Sequence, residues 1–163
     1  CAKYGAPSLA TSYASRPPKG ASPYLGRPGA AATAGTLYPT ELAARFDAER
    51  WMDWQQTTLN PAGRDGFLQW VRTAPAQRDA ATYLQSVATT EPLLAMLDAH
   101  LAQQPFMVGD SFTMADIPIA CEIHRWRALP LSDTAPLTPH LDRWYQVVSG
   151  RPTALGVLDQ PLT

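Results

Sequence analysis

Cysteine is almost missing from this chain of 163 residues, with Cys1 and Cys121 the whole supply. That is too few for a disulfide framework, and Cys121, set among apolar neighbours, reads as a small buried hydrophobe in a reducing compartment. No apolar run approaches the roughly 18 residues of a membrane span, and there is no short apolar leader segment. Both lacks place the expected protein in the cytoplasm, away from membranes. Glycine-rich phosphate loops, G-x-S-x-G and C-x-x-C are missing too, which leaves nucleotide cradling, a strained serine elbow and dithiol redox chemistry without support. Net charge is −1, which argues against nucleic acid as a partner. Acidic residues are wholly lacking before Glu41, whereas Lys3, Arg16, Lys19 and Arg27 fall in that stretch. An acid-free, Arg/Ser/Ala-rich start has the composition of an organelle transit peptide. Without an initiator Met or an amphipathic Arg pattern, a solvated basic linker is the better reading.

What is present is enough apolar surface for a core, at 45% hydrophobic residues. Residues 10–35 are dominated by Ala, Gly, Pro and Ser, too little apolar surface to offset ordering entropy. Beyond them the pattern is helical almost throughout, and no strand alternation or repeat stands out. Thr40 is placed to cap a helix running to about Thr58, with Glu41 in its first turn and Asn60-Pro61-Ala62-Gly63 as its stop. A loop-rich stretch with a short helix near Phe67–Val71 follows. A long helix is expected from about Ala76 to Gln103, with Leu94, Leu97 and Leu101 on one face and Pro92 kinking or dividing it. A central helix over Met114–Leu129 shows Ile119, Ile123 and Trp126 on one face and Ile117, Cys121 and His124 on another, which predicts burial on most sides. His140–Ser149 presents Leu141, Trp144, Val147 and Val148, and a short helix follows Pro152. The fold class is therefore all-α, a bundle of about five helices preceded by a disordered linker.

The sharpest local signal is Gly109-Asp110-Ser111-Phe112-Thr113-Met114-Ala115-Asp116-Ile117. Thr113 can accept a hydrogen bond from the Asp116 N–H while the Asp116 carboxylate reaches back to the Thr113 N–H, a capping box with Asp in place of Glu. Phe112 and Ile117 occupy the two positions of a hydrophobic staple.

The segment Pro105–Leu129, PFMVGDSFTMADIPIACEIHRWRAL, resembles the C-terminal helical domain of the glutathione S-transferase family. Phe106, Gly109, Asp110, Phe112, Thr113, Ala115, Asp116 and Ile117 fall on that family's "aromatic, apolar, Gly-Asp" loop, capping box and staple. The likeness extends from about Tyr38 to Leu158, through LYPTELAARFDAERWMDWQ and PHLDRWYQVVSGRPTALGVL. Cys1-Ala2-Lys3-Tyr4-Gly5 resembles the end of the last helix of the family's N-terminal thioredoxin-like domain, and Leu37-Tyr38-Pro39 the start of the helical one. The resemblance thus implies three segments: 1–8 as a helix remnant, 9–36 as linker and 37–163 as the helical domain.

It also implies a parent enzyme of detoxification that conjugates glutathione, its co-substrate, to apolar electrophilic small molecules and works as a homodimer. The glutathione-holding groups of the family sit upstream of the Tyr-Gly ending. The resemblance therefore implies a C-terminal fragment with the thioredoxin-like domain missing, inactive alone, with no catalytic and no cofactor-binding residue. Trp51, Trp54 and Thr58 share one face of the first long helix, with Gln55 beside them. Two indoles there belong more often to a core than to a ligand wall. The family's equivalent helix walls the electrophile pocket, so Trp51, Trp54, Gln55, Thr58 and Arg125 are the pocket candidates. Without a covering domain the Trp51 and Trp54 face would form an exposed apolar patch that drives association. Glu122 and Arg125 read as a surface ion pair. Cys121 and His124 lack further ligands at useful spacing, and no metal is expected. From a different functional class, a non-catalytic transferase-like module for protein–protein assembly fits the same resemblance.

Overall fold

The computed structural model describes residues 37–130 and 135–162. The helix remnant and linker expected over residues 1–36 lie outside the described residues. Among those described, the chain is helical with no strand.

The first helix, α1, spans Leu42–Trp54. Glu41 rather than Thr40 is its cap: Glu41 keeps an extended backbone, and its carboxylate accepts from the Ala44 N–H at 2.7 Å, satisfying one of the orphan donors of the first turn. The helix does not stop at Asn60-Pro61-Ala62-Gly63. It widens into a π-helical turn, Gln55–Leu59, continues as α2 over Asn60–Phe67, and widens again over Leu68–Arg72. The expected loop-rich stretch is thus the second half of one rod.

A proline inside an α-helix lacks the N–H for the ladder and its ring strikes the carbonyl four residues back. The π turn immediately before Pro61 shifts the ladder to i→i−5, with the Asn60 N–H donating to the Gln55 carbonyl. Proline then falls in the first turn of α2, where a missing donor is tolerated. The two glycines serve close approach, not termination. A Cβ on Gly66 would lie 3.0 Å from the Ser86 hydroxyl, and one on Gly63 would lie 3.3 Å from Glu122 Oε1.

Arg78 closes the rod's far end, donating to the Trp70 carbonyl at 2.7 Å and the Thr73 carbonyl at 3.2 Å while its guanidinium lies over the Trp70 ring. A 3-10 turn, Pro75–Gln77, precedes α3, Ala80–Leu101, which starts at Asp79 rather than Ala76. The Asp79 carboxylate accepts from the Ala81 N–H at 2.9 Å and the Thr82 hydroxyl at 2.6 Å. This helix passes through Pro92 as one element and is not divided there. Leu94, Leu97 and Leu101 beyond the proline are buried in the core, and this packing supports the helix where the ladder loses one bond.

The central helix α4 spans Asp116–Arg127 rather than Met114–Leu129, with Ala115 and not Thr113 in the position before it. Helix α5, Pro139–Ser149, completes the bundle, followed by a 3-10 turn at Pro152–Ala154. The core joins Ile119, Ile123 and Trp126 of α4 to the α3 leucines, Leu59, Met107 and Trp144. Burial of α4 is one-sided: Ile117 is 43% exposed and Cys121 and His124 are half-buried. The expectation of burial on most sides counted residue types. The packing admits one broad face, and Val147 of α5 is likewise exposed while Tyr145 takes the buried place.

Two polar exchanges dock α5 on α3. The Asp98 carboxylate accepts from the His140 and Leu141 N–H groups at 2.8 and 2.9 Å, which puts an anion at the positive end of α5. In return Arg143 donates to the Leu101 carbonyl at the end of α3, at 2.7 Å.

Candidate functional site

Asp116 has no exposed surface. One carboxylate oxygen accepts from the Met107 N–H at 3.0 Å and the Trp144 indole N–H at 2.8 Å. The other accepts from the Thr113 N–H at 2.8 Å and the Thr113 hydroxyl at 3.2 Å. The residue thus ties the loop after α3, the start of α4 and the middle of α5 to one anion. Burial pushes its carboxyl up from the ordinary value, opposed by those hydrogen bonds.

The forward arm of the capping box differs from expectation. The Thr113 hydroxyl accepts from the Ala115 N–H at 3.3 Å, while the Asp116 N–H goes to the Thr113 carbonyl at 3.1 Å. The tight turn over Thr113–Asp116 takes that donor first. Phe112 packs edge-on against Phe106, ring centres 6.3 Å apart, with the Arg151 guanidinium 4.1 Å above it. Ile117 stands outside the buried cluster.

The pocket candidates fall into two groups. Trp51 is only 9% exposed and belongs to the core, edge-on to the half-buried Trp54 at 5.4 Å and tilted against His100 at 4.5 Å. The chain itself covers Trp51, so the expected exposed Trp51–Trp54 patch is not formed. Its indole N–H has no hydrogen-bond partner among the described residues. Gln55 and Arg125 meet at Glu122, with the Gln55 amide 3.5 Å and the Arg125 guanidinium 3.2 Å from the same carboxylate oxygen. Arg125 also lies over the Phe67 ring at 5.5 Å. Thr58 is half-buried on the π turn and makes no side-chain hydrogen bond among the described residues.

Glu122 is the residue that the sequence reading placed wrongly. It is 5% exposed, not a surface partner. Its register gave the signal: three residues after Ile119 and four before Trp126, it shares their face. Burial raises its carboxyl above the ordinary range, with Arg125 and Gln55 opposing. The crevice at Glu122, bounded by Gly63, Phe67, Thr90 and Trp126, encloses about 10 Å³. That is room for about one water, against the several hundred Å³ of a small-molecule site. Between α2 and the start of α3 lies an open hollow of about 470 Å³ with a mixed lining that includes Pro61, Asp65, Ala81, Thr82, Gln85 and Thr89.

The hydroxyls of the described tyrosines are occupied. Tyr38 donates its hydroxyl to the Glu49 carboxylate, and burial together with that partner pushes it up to about 12. Tyr83 donates to the Pro130 carbonyl at 3.0 Å. The Cys121 thiol is pushed up by burial. His124 does not reach toward a metal: one ring nitrogen lies 3.0 Å from the Tyr145 hydroxyl and the other 3.0 Å from the Gln160 carbonyl. Among the described residues no three His, Cys, Asp or Glu side chains are grouped to hold a metal ion. No described helix is long and apolar enough to cross a membrane.

Residues 55–152 match the family model "Glutathione S-transferase, C-terminal domain". The chain is 39% identical over 121 residues to glutathione S-transferase GstB of Escherichia coli K12, covering 74% of this chain and 57% of that protein. It therefore spans just over half the length of that relative. The theta class glutathione S-transferase of Xanthomonas axonopodis pv. citri, solved with glutathione bound, superposes with a TM-score of 0.76 at 40% identity, covering 82% of this chain and 64% of that one. Elongation factor 1-gamma 2 of Oryza sativa subsp. japonica is 27% identical over 124 residues, 75% of this chain and 29% of that protein.

Proposed function

The chain belongs to the glutathione S-transferase family, and from that membership we propose that it forms the second-substrate and dimerisation half of an enzyme conjugating glutathione to apolar electrophiles. Under this reading the enzyme serves detoxification in the cytoplasm as a homodimer. Glutathione is held by a thioredoxin-like domain, and the helical domain contributes a wall of the electrophile pocket from Trp54, Gln55, Thr58 and Arg125. Trp51 acts behind that wall as support. The observation that carries the reading is the match to GstB across 74% of the chain.

The geometry fits a half-site. Trp54 and Thr58 are half-buried and Arg125 half-exposed, and the crevice between Arg125 and Glu122 encloses only about 10 Å³. A pocket there takes its other wall from a second domain. Generating a thiolate requires a donor or cation free to lower the thiol pKa. The Tyr38, Tyr83 and Tyr145 hydroxyls are all engaged within the bundle. We therefore expect the chain alone to be inactive. Purified and mixed with glutathione and a general aryl halide electrophile, it should give no conjugate above the uncatalysed rate, and calorimetry should show no glutathione binding. Robust glutathione-dependent turnover would overturn the proposal.

A second reading follows from the likeness to elongation factor 1-gamma 2: a non-catalytic helical module for protein–protein assembly. It separates from the first by association. Self-pairing in light scattering favours the transferase, and a monomer that pairs only with a different protein favours the module.

A further inference from the structure

The residues after the last helical turn form a short return over the central helix. Gly156 takes a left-handed φ of 84° and turns the chain, and its N–H donates to the Asp159 carboxylate at 2.6 Å. The Val157 and Leu158 N–H groups both go back to the Ala154 carbonyl, at 3.1 and 3.0 Å. These bonds lie within the segment or bind it to its own 3-10 turn. Among the described residues the ties to the bundle are Leu158, partly buried against the core, the hydrogen bond between His124 of α4 and the Gln160 carbonyl, and the charge of Asp159 near His124. Leu155 and Val157 face outward, 62% and 58% exposed. A segment with so few buried contacts opens at far lower free energy than the helices beneath it.

The partners of His124 fix which nitrogen carries the proton. A carbonyl can only accept, so Nε2 donates to Gln160. In the neutral ring Nδ1 then accepts from the Tyr145 hydroxyl. Tyr145 is 7% exposed on α5, so a buried phenol holds the imidazole in the tautomer that faces its N–H to the strap.

We propose that His124 is a clasp that fastens a strap, residues 155–162, onto the bundle, with Tyr145 setting the clasp, so that the strap opens and closes without the bundle unfolding. The role is conformational and uses a side chain that pocket and core leave free. Amide hydrogen exchange on the full chain tests it, reading Gly156, Val157 and Leu158 against the amides of Leu94–Leu101.

In the parent chain the strap amides should exchange much faster than those of the core helix. His124→Ala should speed strap exchange about fivefold further, the factor one ordinary hydrogen bond supplies, with the core amides unmoved. Tyr145→Phe should give a smaller change in the same direction. His124→Gln, whose side-chain amide nitrogen can occupy the Nε2 position, should restore part of the protection. Unchanged strap exchange in His124→Ala overturns the proposal. So does a loss shared equally by strap and core, which would make His124 a part of the bundle's global stability.

Discussion

Replacing Asp116 by alanine would remove far more than a helix cap. A capping side chain at a helix start contributes about 1 kcal/mol. Here the carboxylate accepts from four donors and is fully buried. The Thr113 hydroxyl can turn elsewhere, but the Met107 N–H, the Thr113 N–H and the Trp144 indole N–H would be left without partners. Each buried donor stranded in this way costs about 1–3 kcal/mol. Against this stands relief of the desolvation that pushes the carboxyl up, which returns part of the loss. The net expectation is a loss of about 3–5 kcal/mol, at the diagnostic end of single substitutions.

Urea unfolding followed by tryptophan fluorescence and by far-ultraviolet circular dichroism would measure it, with coincident transitions as the check on two-state behaviour. Asp116→Asn keeps one acceptor oxygen but turns an amide N–H₂ toward the other donor pair, so it should lose about half as much. Trp144→Phe keeps a smaller aromatic ring and removes the indole donor. Its effect should not add to that of Asp116→Ala, with a coupling of about 1 kcal/mol in the double-mutant cycle. A loss of 1 kcal/mol or less for Asp116→Ala would refute the reasoning, because it would mean that the residue acts as a cap alone.

Two further outcomes follow from the packing and the buried charge. Gly66→Ala adds a Cβ 3.0 Å from the Ser86 hydroxyl and 3.4 Å from its Cβ, and overpacking of about 1–3 kcal/mol should outweigh the roughly 1 kcal/mol gained in helix propensity. A lowered melting temperature is expected, and a raised one would show that α2 and α3 can separate freely. Glu122 binds its proton more tightly in the folded chain than in the unfolded one, so its contribution to stability falls as pH rises above the ordinary carboxyl value of 4.5. Asp116, whose carboxyl is also pushed up, adds a decline of the same sign. Melting curves taken from pH 4.5 to 7 should therefore show a decline that Glu122→Gln makes shallower, and parallel profiles for the two proteins would contradict it.

How far residues and spacing carried the reading can be judged at particular places. The turn into α4 was legible because a cap is local chemistry: Thr113, Asp116 and the backbone between them lie within four residues. The α3 leucines were legible because helical periodicity and burial coincide there. Pro61 and Gly63 misled because stop signals are also packing devices, and only the approach of Ser86 and Glu122 shows which role they play. Glu122 misled for a related reason. A charge on an apolar face looks like a solvated partner of its neighbour until a helix 67 residues away in sequence delivers Gln55 to it.

The sequence by itself determined the helical class, the contact between Thr113 and Asp116, the leucine face of α3 and the family, since each rests on residue types at short, fixed spacings, whereas the helix itself begins at Asp116 and not at Met114. Tertiary structure decided which face of α4 goes inward, that Trp51 supports the core, that α1 and α2 form one rod through Pro61, and that Asp116 serves three elements at once. The physical reason is range. Caps and periodicity are set by covalent neighbours, whereas the partner of a buried polar group is chosen by whichever distant segment packs against it.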